Sequence, residues 1–472
     1  MTTEHAFVWV WLPKAIEPIV AGRLDVVGDQ LAFTYGRSYL ARPGAISLFT
    51  PELPLGVGRR LPSPDRETFG SIRDAAPDAW GQRVILSLLA GRLTADSDTG
   101  SLSMLTYLLE AQSNRIGGLD FQAGAADYVP RAAPATLQDM LRAADLLQAG
   151  QALPAELEPA LLHGTSIGGA RPKATLVDGG RELIAKFSST TDTYPVVKAE
   201  AAAMELARRV GLDVPTSELV RVLGRDVLLV ERFDRTAVPG QRRLMLSALT
   251  VLGLTEMTGR YASYPELADE LRKWAPAGAV YDTLRELFAR VVFNVCVGNI
   301  DDQAHNHAMF WDGEHLELTP AYDLSPQPGR GGQAAQAMAI SRDGVRESRL
   351  SVCLDAATEY GISRDQARVI VEDQVTTIDR DWDEVAGAVG LSRAESDLMR
   401  PGPGAQILNP FIHRAGRLAA LSLRDSVWNR GKGFLASRPW ARPTGVVPPY
   451  LIAGCLIAGC PHGRYEVARA GE

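Results

Sequence analysis

The sequence predicts an α+β, two-lobed fold with a β-rich N-terminal region and a mainly helical C-terminal lobe. Three observations predict it. Between about Ala6 and Phe49, short runs rich in aromatic and branched residues are separated by turn residues such as Gly28 and Asp29, the pattern of strands. From about Leu161 to Val230, glycine-rich turns alternate with short apolar runs around a single helical stretch. Beyond about Arg243 helical periodicity dominates, interrupted at Asp301–Asn306 and Leu318–Pro326. At 472 residues the chain exceeds what one hydrophobic core ordinarily organises, so several domains or lobes are expected.

Taken in order, Phe7–Leu12 and Leu31–Tyr35 read as strands, and the segment from Phe69 to Ala90 begins extended and ends helical. A loop near residues 125–135 closes an N-terminal β-rich subdomain, placed at residues 1–130. A helix over Asp139–Ala149 buries Met140, Leu141, Leu146 and Leu147. Strands at Ala174–Val177 and Leu183–Phe187, a helix at Val197–Val210 ended by Gly211, and strands at Glu218–Val222 and Val227–Val230 follow. This β-β-α-β-β run makes residues 131–240 a small lobe, and residues 241–440 a helical large lobe. In the tail, 441–472, Leu451–Cys455 is copied at once as Leu456–Cys460. Structural repeats need units of roughly 20 residues or more, so the tail is read as a disordered segment.

Composition narrows the class. Hydrophobic residues make up 46% and charged residues 22%, the balance of a globular chain. A net charge of -7 argues against a chain that grips nucleic acid unaided, because phosphate contacts need clustered Lys and Arg. Four cysteines give no disulfide framework, and a reducing, cytoplasmic setting is expected. The first residues lack the pattern of a signal peptide. No run of about 18 apolar residues is present, so no membrane span or membrane partner is expected.

The polar motifs, in chain order, supply what phosphoryl transfer needs: backbone amides and a Lys for the phosphates, an acid facing the acceptor hydroxyl, and metal ligands. Gly164–Lys173 is glycine-rich enough to approach an anion, although alone it reads first as a turn. Lys186 lies among apolar strand residues, and Glu200 on the following helix is its candidate partner. Glu231–Arg235 follows an apolar strand where a hinge would offer groups to an adenine. In Gly298–His307, Asp301 and Asn306 are separated by four residues, the spacing of the Asp and Asn in a kinase catalytic loop. Asp323 falls where the second metal-binding Asp of a kinase belongs. The same loop also admits a metal-dependent hydrolase reading through Asp301, Asp302, His305 and His307.

Together Ser166–Lys173, Lys186, Glu231–Arg235, Asn299–Asn306 and Tyr322–Ser325 resemble the HipA-like serine/threonine kinases, toxin components of type II toxin–antitoxin systems. Asp74–Gly81 and Asn114–Gly118 resemble that family's first region, and the resemblance runs from about residue 6 to 435. It implies a protein-kinase-like fold using ATP and Mg2+, with Asp301 as catalytic base and Asn306 and Asp323 as metal ligands. It implies ATP contacts from Gly168, Gly169, Ala170, Arg171, Pro172, Lys173, Lys186, Glu231, Arg232, Phe233, Gln303, Tyr322 and Asp323. It further implies autophosphorylation at Ser166, a HipB-like helix-turn-helix antitoxin, DNA contact only through that antitoxin, and a translation-related substrate of the aminoacyl-tRNA synthetase class. The family usually carries His where this chain has Gln303 and Lys where it has His305. Those departures also leave open a pseudokinase that binds an antitoxin without catalysis.

Overall fold

Three antiparallel sheets and the helices between them bring the motifs together. The structure is a computed structural model that describes residues 4–90, 98–131, 135–151, 153–165, 171–189, 192–328 and 334–401. The tail assigned to 441–472 and Ser166, Gly168, Gly169 and Ala170 lie outside the described residues.

Strands β1 (His5–Val10), β2 (Ile19–Val27), β3 (Gln30–Tyr35), β4 (Arg59–Arg60) and β5 (Leu119–Gln122) form a sheet in the order β4-β3-β2-β1-β5. Alternation in β3 and β1 turns Leu31, Phe33, Val8 and Val10 into a large core. That core also takes Leu267, Phe288 and Phe293 from the helices Tyr264–Trp274 and Val280–Val297. The N-terminal sheet and the helical region therefore share one core, across the boundaries drawn at residues 130 and 240.

A second sheet has the order β6-β7-β9-β8, from β6 (Lys173–Asp178), β7 (Arg181–Phe187), β8 (Ser217–Val222) and β9 (Arg225–Glu231). Its two faces are read off β9. Val227 and Leu229 join a cluster with Met140, Leu141 and Trp80, while Leu228 and Val230 face Val197 and Ala201. The helix Val196–Arg209 carries alanines at 199, 201, 202, 203 and 207, all buried, so it packs closely. Gly211, at φ 84°, lets the chain turn away from it without the clash a Cβ would bring.

The sequence suggested mainly helix beyond Arg243, and here the structure differs. Strands β10 (Leu244–Ser247), β11 (Ala308–Trp311) and β12 (Leu316–Leu318) form a third sheet. They are three or four residues long, and β11 is buried throughout. Strands this short show no alternation, so periodicity cannot separate them from helix.

One packing contact ties the first region to the glycine-rich loop. In the helix Ala79–Ala90, a Cβ placed on Gly81 would lie 2.8 Å from the Thr165 carbonyl oxygen, which is backbone and cannot swing aside. Gly81→Ala should therefore lower the unfolding free energy by about 1–3 kcal/mol. Gly387, on the exposed side of the helix Arg364–Ala388, has nothing within 4 Å of such a Cβ. Gly387→Ala should raise it by about 0.5–1 kcal/mol. Urea denaturation of the two variants checks both signs; equal effects would contradict the contact.

Candidate active site

Strand alternation places Leu183, Ala185 and Phe187 in the second core and turns Lys186 to the other face, toward the helix Val196–Arg209. Glu200, on that helix, is buried and accepts a hydrogen bond from the Lys186 ammonium. Lys186 Nζ also donates to Asp323 Oδ1 at 2.7 Å. One cation thus joins a strand, a helix and a segment 137 residues further on. The Lys186 ammonium holds the Asp323 carboxyl well below the usual carboxylate range. Burial works against a charged Lys186, but Asp323 and Glu200 outweigh it and keep the lysine protonated. Asp323 sits at φ 56°, a left-handed conformation that Asp adopts more readily than most side chains and that recurs at functional sites.

Lys173 faces Lys186 across the β6–β7 register and is only 7% exposed. Burial pushes its ammonium down, opposed by the carboxylates of Asp323, Asp78 and Glu200. Asp78 was not among the sequence candidates, though it lies in the Asp74–Gly81 segment. It immediately precedes the helix Ala79–Ala90, with Oδ1 buried and without a hydrogen-bond partner. Burial pushes its carboxyl up to about 7, partly offset by Lys173.

The loop after the helix Val280–Val297 begins with Gly298 at φ 72°, which ends the helix in a left-handed turn. Asp301 is exposed, and its Oδ1 accepts from Gln303 Nε2 at 2.7 Å. Asn306 Nδ2 donates to the Asp301 carbonyl at 3.2 Å. The Tyr322 hydroxyl donates to the His305 carbonyl at 2.8 Å, which brings the residue next to Asp323 onto the loop. His305 adds to the positive field on Asp323. Phe233 lies 5.6 Å from the Tyr322 ring and 6.2 Å from Phe310. The structure therefore gathers Lys173, Lys186, Glu200 and Asp323, and links Asp323 through Tyr322 to the Asp301–Asn306 loop.

Two expectations need correction. The Arg232 guanidinium is buried against Asp234, the Asn114 side chain and the Arg115 carbonyl, and its amide donates to Glu182. Asp234 meets its charge and Asn114 and Arg115 take its remaining N–H groups, so the guanidinium is held among buried partners of the N-terminal region. Arg235 makes the same attachment through Asp234 and Asn114. The Glu231 amide is likewise used, donating to Thr216. His307, a proposed hydrolase ligand, is 4% exposed and bonded to buried Asp302. Among the described residues no group of three or more His, Cys, Asp or Glu is placed to hold a metal ion. Of the loop residues before the strand, Arg171 is bound to Asp192 at 2.6 Å and Pro172 is buried.

The strand Lys paired to a helix Glu, the Asp–Asn loop and the following Asp are carried on a protein-kinase-like fold. Residues 165–382 match the family described as the HipA-like C-terminal domain. The chain is 28% identical over 245 residues to the serine/threonine-protein kinase toxin HipA of Shewanella oneidensis, covering 44% of this chain and 54% of that protein. It is 34% identical over 148 residues to Y4mE of Sinorhizobium fredii, named for kinase activity, covering 30% of this chain and 33% of that protein. The chain thus spans about half the length, or less, of the curated relatives it matches. Its fold matches that of Shewanella oneidensis HipA solved with HipB and operator DNA, with a TM-score of 0.58 at 18% identity, covering 81% of this chain and 92% of that one. Among the described residues no helix is long and apolar enough to cross a membrane.

The raised Asp78 carboxyl gives a pH test. Its pKa moves from 3.8 to about 7 on folding, so folding takes up a proton between those values. Its contribution to stability is complete below the lower value and lost as pH rises through the upper one. Asp78→Asn removes that loss. Its unfolding free energy should gain on wild type between pH 4 and 7 and run parallel above, as read from urea denaturation across that range. A pH-independent difference would contradict the placement of Asp78.

Proposed function

We propose that this chain is an ATP- and Mg2+-dependent serine/threonine protein kinase. The observation that carries the proposal is Lys186 held between Glu200 and Asp323. A cation fixed from two sides is pre-placed for a nucleotide's phosphates and needs no reorganisation when they arrive. Asp301 is exposed, as a base that must reach an acceptor hydroxyl has to be. In this reading Asp301 accepts the hydroxyl proton as the oxygen attacks the γ-phosphorus, and ADP leaves toward Lys186 and Lys173.

Asn306 and Asp323 fit Mg2+, which takes few protein oxygens when phosphates supply the others. When bound, that ion neutralises charge on the β- and γ-phosphates. Asp323 is already held ionised, the state a cation ligand requires. Gln303 orients the Asp301 carboxylate. Phe233 and Tyr322 offer an aromatic edge to the adenine.

The wider role follows the relatives. The chain acts as a toxin-type kinase in the cytoplasm, slowing growth by phosphorylating a translation-related protein of the aminoacyl-tRNA synthetase class. A HipB-like helix-turn-helix antitoxin holds it, and DNA is reached through that partner. Autophosphorylation of Ser166, within the glycine-rich motif, adds about 1.5 to 2 negative charges and switches the enzyme off.

Incubation with γ-labelled ATP and Mg2+, followed by mass spectrometry of the protein, tests this. Wild type should acquire label, with Ser166 among the modified residues. Asp301→Ala should lose at least about 100-fold in transfer rate while binding ATP with nearly unchanged affinity. Label transfer by Asp301→Ala at the wild-type rate would sink the assignment of the base. Nucleotide binding with no transfer by wild type would leave the pseudokinase reading instead. Label elsewhere but never on Ser166 would reject the switch.

A further inference from the structure

The loop from Asp301 to His307 is two-sided. Asp301, Gln303 and His305 are exposed and Asn306 is half-buried, whereas Asp302 is 1%, Ala304 2% and His307 4% exposed. The two residues assigned to chemistry each have an inward neighbour: Asp302 follows Asp301, and His307 follows Asn306. These inward neighbours are bonded to each other, His307 Nε2 to Asp302 Oδ2 at 2.7 Å.

The same Asp302 oxygen also accepts from the Tyr264 hydroxyl at 2.5 Å and from Asn294 Nδ2 at 2.7 Å. A carboxylate only accepts, so all three partners donate, and His307 carries its proton on Nε2. A carboxylate taken out of water is tolerable when charge-assisted bonds replace its hydration, and three converge here. Each donor is itself fixed. Tyr264 opens the helix Tyr264–Trp274, and its ring meets the His307 ring edge-on at 5.5 Å. Asn294 lies in the last turns of the helix Val280–Val297 and accepts from Asn299 Nδ2 at 3.0 Å through its side chain and from Asn299 N at 2.9 Å through its carbonyl. The His307 carbonyl accepts from Ala248 N at 2.7 Å.

We propose that Asp302, by gripping Tyr264, Asn294 and His307 at once, is the positioning residue that sets the separation of Asp301 and Asn306. The Asp302–His307 bond closes the base of the loop one residue on from each of them. Asp301 and Asn306 then stand on a rim whose width the buried bond dictates. Asp302 touches neither substrate nor metal in this account; it acts through its two neighbours. The proposal rests on the kinase reading of those neighbours.

The test compares His307→Leu, which removes the donor, with His307→Gln, whose amide nitrogen can still reach Asp302. Three readouts are taken on the full chain: transfer from γ-labelled ATP, Mn2+ affinity with a non-hydrolysable ATP analogue followed by electron paramagnetic resonance, and thermal unfolding. His307→Leu should lose about 10- to 100-fold in both transfer rate and Mn2+ affinity, the usual cost of removing an outer partner of a metal site. His307→Gln should recover most of both. A purely structural role would lower the folded fraction and leave the Mn2+ affinity of that fraction unchanged, an outcome that overturns the proposal. Should His307→Leu fail to fold, Tyr264→Phe removes one hydroxyl from the same oxygen and should weaken Mn2+ in the same direction; wild-type affinity there overturns the proposal. Absence of transfer by wild type would overturn the kinase reading alone, because the ranking of Mn2+ affinities still decides the role of Asp302.

Discussion

One half-buried ammonium organises this protein. Lys186 lies between two carboxylates, and neither could be left in place without it: Glu200 is buried and Asp323 occupies a left-handed backbone conformation. An unpaired charge at that depth would be costly, so the strand, the helix and the returning segment must arrive together. Much of the fold serves that arrival. Strand β7 is central enough to bond on both edges, to β6 and β9. The alanine-rich helix comes close enough for Glu200 to reach the strand lysine. Tyr322 then docks the residue before Asp323 onto the His305 carbonyl. The cluster is stable because its cations and carboxylates lie close enough to offset one another.

The N-terminal region belongs to this arrangement more closely than a separate subdomain would. It contributes Trp80 and Val84 to the small-lobe core, and Gly81 to the contact with Thr165. Asp78 places a carboxylate within the field of Lys173. On the opposite side of the sheet end, Asn114, Arg115 and Gly117 receive Arg232, Arg235 and Asp234. The hinge strand is therefore clamped at its end by a buried network of charge-assisted bonds, which are stronger and more directional than neutral ones. This fixes the end of β9 relative to Lys186 on the adjacent strand β7.

Much of this was legible in the sequence, for identifiable reasons. Lys186 stood out because strand alternation is a local property, and the Asp301–Asn306 loop because its polar residues lie within one stretch of chain. The strands β6 to β9 and the helix between them were placed to within a few residues by glycine turns and apolar runs. What failed was non-local or too short to carry a period. In the three-stranded sheet, β10 pairs with β11 across about 60 residues, and all three strands are three or four residues long. Arg232 looked like a hinge contact because nothing local reveals that its guanidinium finds Asn114, 118 residues away. Asp302 and Asp78 carry no sequence signal of burial; only the tertiary packing makes them interior carboxylates. The two positions where the chain departs from the HipA-like pattern, Gln303 and His305, are both exposed on the outward side of the loop. The inward side of the loop holds Asp302 and His307, bonded to each other.

The central claim is that Lys186 is the nucleotide-phosphate cation and not a surface charge. Calorimetric titration of Mg-ATP into wild type and Lys186→Met tests it most directly, with thermal unfolding as a check that the variant folds. The account predicts that the folded variant binds Mg-ATP at least about tenfold more weakly, since a charge-assisted contact to phosphate is worth roughly 1.5–3 kcal/mol. Wild-type affinity in folded Lys186→Met would contradict it.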